Sequence, residues 1–323
     1  MQKDQRIIDV DDEIRKDDRP QDIPVITIEE DSDSSDYSAK DYNSITTRET
    51  KRVRRRIKIF TIVLLCLGLL ATILWGYRYY TLTPEVESSM SDNENIESLK
   101  SAAADSSKGS TVTSDSVLGV AFDMYSLKGL HASLEREVPD TSDGSLVLFM
   151  RSSDYHPDGS ILGNLIINGE EKESKDRKGR AGYVAISKNG NLAIGISLND
   201  KMSDYLKENG GSFFRQYVLL GDGELPSTFA LHGKVERAAL GRMYDGNIYY
   251  VTTRNKETMY DFADALREYG FTDAVYLTGG NSYAFYRSPD GVTHIPEATK
   301  EKIEKYRSTS PIAPMLVFRN IKK

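Results

Sequence analysis

The apolar positions of this chain fall into two unlike regimes. Early on they form one unbroken run, Ile59 to Tyr77, IFTIVLLCLGLLATILWGY, nineteen residues without a charge. As a helix at ~1.5 Å per residue, such a run spans close to the ~30 Å hydrocarbon core of a bilayer. From about Val117 onward the apolar residues come instead in short runs, parted by Asn-Gly, Asp-Gly and Gly-Gly pairs. That spacing predicts strands joined by tight turns. The first regime predicts a single transmembrane helix in a basic-flanked segment, 51–80, and the second a folded domain over 116–323.

The flanks of the long run set an orientation. Lys51, Arg52, Arg54, Arg55, Arg56 and Lys58 crowd its N-terminal side. Trp75, Tyr77, Tyr79 and Tyr80 cluster at its far end, followed by Glu85 and Glu87. Interfacial aromatics and the positive-inside rule place residues before Ile57 in the cytoplasm and everything after Tyr80 outside, in an envelope of bacterial type. The run begins too far from Met1 for a cleaved signal peptide, and no small-x-small site follows promptly. Residues 1–50 are acidic and serine-rich and predict a disordered cytoplasmic tail. Its apolar patch, Ile23 to Ile28, has the length of a strand that adds to a partner's sheet, although an unpaired stretch is the simpler reading. Residues 81–115 are Ser, Asp, Glu, Asn and Ala, and predict a flexible stalk. The Ile96–Ala104 pattern gives at most a transient helix.

Within the domain, strands are expected at Leu118–Tyr125, Leu146–Met150, Leu165–Ile167, Tyr183–Ser187, Leu192–Ser197, Gly211–Leu220, Ile248–Thr252, Asp273–Leu277 and Met315–Phe318. Asn189-Gly190 predicts a hairpin with a type I′ turn, and Asp245-Gly246 a second hairpin. Helices are expected at Met202–Glu208 and Ala298–Tyr306. Another follows Thr258, with Thr258 as N-cap, Phe262, Ala263, Leu266 and Tyr269 on one face, and Gly270 as the stop. This helix delivers the chain to Asp273–Leu277, which is expected to run parallel to Ile248–Thr252 through a right-handed crossover. Many strands and few helices predict an α+β domain with a mixed, largely antiparallel sheet.

Composition narrows the function classes. One cysteine, Cys66, excludes an internal disulfide framework and a multi-cysteine zinc site, and the four histidines are scattered. No metal site and no cofactor is therefore expected. The net charge of −7 and the absence of a basic stripe beyond Lys51–Lys58 argue against nucleic acid as partner. The bilayer is the one partner the pattern names, and oligomeric state is left unspecified. Three features invite chemistry. Arg215 and Arg237 lie in apolar strand-like runs, where arginine either faces solvent on an edge or lines a site for an anion. Thr278, Gly279, Gly280, Asn281 and Ser282 end a strand in a glycine turn ringed by short polar side chains. That turn suits a polar ligand, but a lone Gly-Gly is also what a plain tight turn looks like. The charged run Glu170–Arg180 reads as a solvated loop, with Lys175, Arg177 and Arg180 as lesser phosphate-binding candidates.

Taken in order, these pieces resemble the phosphodiester glycosidase family. HPDGSILGNLIINGE resembles the segment after the family's first motif. GYVAISKNGNLAIGIS resembles its central hairpin, and RQYVLLGDGEL the strand and turn that follow. Arg237 with Ala238 to Gly241 resembles its arginine followed by small residues and glycine. DAVYLTGGNS resembles its strand ending in Leu-Asp-Gly-Gly-x-Ser. The resemblance implies an envelope protein acting on a sugar phosphate or glycan, with Arg215 and Arg237 on phosphate and Gly279, Gly280, Asn281 and Ser282 on sugar or phosphate oxygens. Two departures stand out: Thr278 replaces the family's aspartate, and MRSSDY around Ser152 lacks the expected asparagine. Asp154 is the carboxylate available for the catalytic role beside Thr278, with Asp158 next in line. Two classes of function follow, a membrane-anchored hydrolase of a sugar-phosphate diester, and a noncatalytic relative that binds a glycan or a protein partner.

Overall fold

The computed structural model describes residues 39–82, 85–101, 109–153, 163–172, 180–278, 285–294 and 314–320. The chain divides into two compact units, Met1–Leu70 and Ala71–Lys323. The first helix, α1, runs Ala39–Leu82, 44 residues. No glycine or proline interrupts it before Gly68, and Pro84 follows two residues after its end. Its stretch Thr50–Gly76 is long and apolar enough to cross a membrane by length and composition. The side chains along that stretch are exposed, Leu65 at 69 % and Trp75 at 72 %. The helix starts at Ala39 rather than at the basic run, because nothing in 39–50 breaks it. Ile23–Ile28 lies outside the described residues.

The second unit then follows in chain order: α2 Asp92–Lys100, β1 Val112–Val117, β2 Val120–Ser126, β3 His131–Glu135, β4 Leu146–Arg151, β5 Leu165–Ile167, β6 Glu170–Lys172, β7 Gly182–Ile186, β8 Leu192–Ile196, α3 Lys201–Glu208, β9 Ser212–Gln216, β10 Val218–Leu220, β11 Ala238–Met243, β12 Ile248–Thr253, α4 Met259–Tyr269, β13 Phe271–Leu277, β14 Phe285–Arg287, β15 Thr293–His294 and β16 Met315–Arg319. They build three sheets, in the orders β1-β2-β12-β11-β13-β10, β15-β14-β4-β16-β3 and β6-β5-β9-β7-β8. Among the described strands the pairings are antiparallel. The α+β class thus holds, as three sheets rather than one. β13 does run in the direction of β12, but β11 lies between them and pairs with both. The helix expected at Ala298–Tyr306 lies outside the described residues.

One apolar core joins the sheets. It gathers Leu240, Val275 and Leu277 from the first sheet, Leu134, Leu148 and Leu316 from the second, and Leu165, Val184 and Phe214 from the third. The period-2 alternation of each strand sends its other residues outward, where helices cover two of the sheets. Phe262 and Leu266 of α4 pack on Ala239, Val251 and Tyr276. Ile96 and Leu99 of α2, with Met202 and Leu206 of α3, pack on Ile166, Tyr183 and Phe213. α4 is capped as its sequence predicts: the Thr258 hydroxyl accepts from Asp261 N at 3.0 Å, and Gly270 closes the helix at φ 109°.

Two local expectations change, while Asp245-Gly246 does join a hairpin. Gly211–Leu220 is not one strand: β9 belongs to the third sheet and β10 to the first, with Tyr217 passing between them. A change of sheet leaves no mark in the pattern, because both Phe213-Phe214 and Leu219-Leu220 are buried. At Asn189-Gly190 and Asp245-Gly246 only the glycine has positive φ, 79° and 80°. In each hairpin the glycine N–H bonds back to Ser187 O or Met243 O. These are three-residue loops with a left-handed glycine, not type I′ turns. The type I′ signature, two positive φ values in succession, appears at Asn168-Gly169 and at Leu118-Gly119, which joins β1 to β2.

The stalk expected over 81–115 is in part built into the domain. Ser91 caps α2 in a reciprocal capping box with Glu94. Asn95 is fully buried and Leu99 is 1 % exposed. A buried polar network anchors the segment. Asp273 accepts from Arg242 at 2.9 Å, from Ser89 N at 2.9 Å and from the Ser89 hydroxyl. Arg242 donates further to Asn95 Oδ1 at 2.8 Å and to Ile194 O. Asn95 in turn donates to the Tyr183 hydroxyl at 3.0 Å, which donates to Asp92 at 2.7 Å. Burial first, and then the Asp92 carboxylate, push the Tyr183 hydroxyl well above its usual range, so it stays a donor. β1 also falls in the expected stalk. Its VTSDSV sequence is polar because it is an exposed edge strand.

Candidate functional site at the strand ends

Strand register gathers one set of ends from all three sheets. In the second sheet Met315 faces Arg151 and Phe285 faces Phe149, so β4 ends where β14 and β16 begin. In the third, Leu165 faces Phe214 and Gly182 faces Gln216, so β9 ends where β5 and β7 begin. In the first, Ala238 faces Leu277, so β13 ends where β11 begins. Tyr217 joins the third sheet to the first at this place, its carbonyl accepting from Tyr276 N at 2.9 Å. The result is a rim of strand ends over the common core.

The rim is where the interior turns polar. Arg151, Ser152, Ser153, Asn164, Arg180, Gln216, Arg237 and Thr278 are all buried there. Apolar strands predict no such cluster, and buried polar atoms need partners. Some have them. Ser152 N and Oγ both donate to Pro314 O. Others keep open capacity: among the described residues, Ser153 Oγ, Asn164 Oδ1, Arg180 Nε and Gln216 Nε2 are buried without a hydrogen-bond partner.

Three of those four are neighbours. The Arg180 guanidinium lies over the Tyr217 ring, 4.7 Å from its centroid, and donates to the Tyr217 hydroxyl at 3.2 Å. Gln216 accepts from Tyr217 N through Oε1 at 3.3 Å, which leaves its Nε2 as the open donor. Asn164 is tied to the same strand end, its carbonyl accepting from Arg215 N at 3.2 Å. Gly163 is needed here. Its φ is +90°, a backbone conformation that side-chain-bearing residues rarely adopt.

The sequence candidates distribute unevenly over this rim. Arg215 alternates with Phe214 and shares the outer face with Phe213, 5.3 Å from that ring. It donates to Ser197 O and Asn199 O and lies 3.9 Å from Asp200, so it fastens the loop before α3. Arg237 precedes β11 at the rim, 5.8 Å from the Tyr276 ring. Its Nε donates to Glu257 O at 3.0 Å and its terminal nitrogen to Gly233 O at 2.7 Å. Thr278 follows β13 close by, 7 % exposed. The structure therefore brings Thr278 and Arg237 to the same end of one sheet and does not bring Arg215 to them. Asp154, Asp158, Gly279, Gly280, Asn281 and Ser282 lie outside the described residues. The buried carboxylate among the described residues is Asp273, which belongs to the network under α2. Among the described residues no group of three or more His, Cys, Asp or Glu could hold a metal ion.

Asn164 and Gln216 are absent from the sequence candidates, and Arg180 was a lesser one. Their signal is faint: each is a polar residue directly beside a short apolar run, which is also how an ordinary strand end looks.

With that geometry in place, residues 146–319 match the phosphodiester glycosidase family, more than half of the chain. No curated protein matches the chain. Among solved structures, the catalytic domain of zebrafish N-acetylglucosamine-1-phosphodiester alpha-N-acetylglucosaminidase, auto-inhibited by its pro-peptide, is 17 % identical. That match covers 73 % of this chain and 96 % of that one, with a TM-score of 0.45. A protein from Synechocystis is 9 % identical over 66 % of this chain and 62 % of its own, with a TM-score of 0.41.

Proposed function

The chain belongs to the phosphodiester glycosidase family, and from that premise we propose a membrane-anchored envelope protein whose strand-end rim takes a sugar-phosphate diester. The observation that carries the reading is the cluster of buried polar atoms with open hydrogen-bonding capacity at the rim. Anchoring rests on the exposed apolar stretch Thr50–Gly76, with the basic run on its cytoplasmic side. Protease added outside intact cells is expected to degrade the domain after Tyr80 and spare the tail.

Cleaving the sugar C–O bond has two requirements. The departing phosphate must be held by donors, and the developing positive charge on the sugar must meet a carboxylate or an activated water. Rim donors answer the first. For the second, Asp154 supplies the carboxylate, and Gly279 to Ser282 hold the sugar. Thr278 offers a hydroxyl where the family has an aspartate, so turnover is slow. One observation favours a second, noncatalytic reading: the described rim residues include no buried carboxylate.

A release assay on a chromogenic phosphodiester glycoside separates the two, using the full chain in detergent. The hydrolase reading expects slow turnover, lost in Asp154→Asn and raised in Thr278→Asp. Absence of turnover in both native protein and Thr278→Asp would leave the noncatalytic reading.

A further inference from the structure

We infer that Arg180, laid on Tyr217 and flanked by Gln216 and Asn164, is the subsite that recognises the phosphate of the ligand. The inference rests on the rim reading above and names the residues that would select an anion there. Neither strand arginine fits the task as well. Arg215 and Arg237 each spend two donors on backbone carbonyls. Among the described residues Arg180 makes one hydrogen bond, to a neutral hydroxyl, while its Nε stays buried and open.

Charge balance makes the stronger case. Arg180 is 4 % exposed, and among the described residues no carboxylate lies within ion-pair distance of it. A buried guanidinium without a counter-ion is costly, and a ring face beneath it offsets only part of that cost. An anion that arrives with the ligand completes the balance. The open atoms then sort by chemistry. Arg180 Nε and Gln216 Nε2 are donors and suit phosphate oxygens, while Asn164 Oδ1 is an acceptor and suits a sugar hydroxyl. Two donors beside one acceptor describe a sugar phosphate better than a neutral glycan. Tyr217 sets the guanidinium plane through its ring and its hydroxyl, which makes it a positioning residue.

The test is calorimetry on the full chain in detergent with inorganic phosphate, N-acetylglucosamine 1-phosphate and the neutral methyl glycoside of N-acetylglucosamine. The native protein should bind both phosphate-bearing probes, and the sugar phosphate more tightly than the neutral glycoside. Arg180→Gln should weaken the phosphate-bearing probes by about tenfold or more, the loss of a charge-assisted hydrogen bond, and leave the neutral glycoside unchanged. Arg180→Lys, which keeps the charge and loses the fork, should fall between. Tyr217→Phe, which keeps the ring, should weaken phosphate less than Arg180→Gln does, with the thermal midpoint unchanged as a check on folding. Phosphate affinity equal in native and Arg180→Gln protein, or no phosphate binding by the native protein, overturns the inference. Turnover of a diester that Arg180→Gln leaves intact would also overturn it while sparing the hydrolase reading. Phosphate binding lost in Arg180→Gln without any turnover would keep the inference and end that reading.

Discussion

At the scale of single residues, buried charge decides most of what this protein tolerates. Asp273 is fully buried and answers Arg242, Ser89 and the backbone N–H of Asp222, the last at 3.2 Å. Asp273→Asn leaves the Arg242 guanidinium buried beside a neutral amide. Such broken pairs cost about 3–5 kcal/mol, and urea unfolding of native and variant protein should show a loss of that order. A change within ~0.5 kcal/mol, typical of exposed sites, would contradict the network. Asp143 gives a pH prediction. The Ser145 N–H first, then the Ser145 hydroxyl and Arg319, hold its carboxyl down to about 2. A depressed carboxylate stabilises the fold above its unfolded value of ~3.9 and loses that contribution as pH falls through its folded value. The carboxyl carbon shift of Asp143 should therefore titrate with a midpoint near 2, and a midpoint near ~3.9 would show the Ser145 and Arg319 bonds absent. The strand arginines were legible as anomalies from sequence. Their partners were not, because Ser197, Asn199, Gly233 and Glu257 are set by loop geometry rather than by any local pattern.

At the scale of elements, the segment before the domain gives the sharpest contrast. Its composition predicts a flexible stalk, yet Ser89 to Leu99 closes the outer face of the third sheet. The Ser91-x-x-Glu94 box starts its helix at Asp92. What composition hid is that two apolar residues, Ile96 and Leu99, suffice when a buried ion pair waits beneath them. Leu99→Ala should accordingly cost ~2–5 kcal/mol, as Leu277→Ala in the central core should. A near-neutral Leu99→Ala beside a costly Leu277→Ala would return the segment to the status of a tether. α4 and β13 were read almost to the residue, because cap, apolar face and glycine stop agree. The β9–β10 division escaped, since alternation is blind to a change of sheet.

At the scale of the whole molecule, the sequence made the fold class and the apolar helix legible, together with the order of the family's motifs. It left the rim illegible, because Asn164, Arg180 and Gln216 are brought together only by the pairing of β5, β7 and β9. A hollow of about 330 Å³ lies at the opposite strand ends, lined by residues that include Lys128, His131, Gly190 and Asn247. It offers a rival location for a polar ligand, although the open buried atoms named at the rim are not among its lining. Whether the rim is the sugar-phosphate site is decided by a structure of the protein with N-acetylglucosamine 1-phosphate bound. Phosphate oxygens are expected within hydrogen-bond reach, ~2.7–3.2 Å, of Arg180 and Gln216, with the sugar toward Thr278. Phosphate seated in the hollow beside His131 and Gly190, with the rim empty, would overturn that placement.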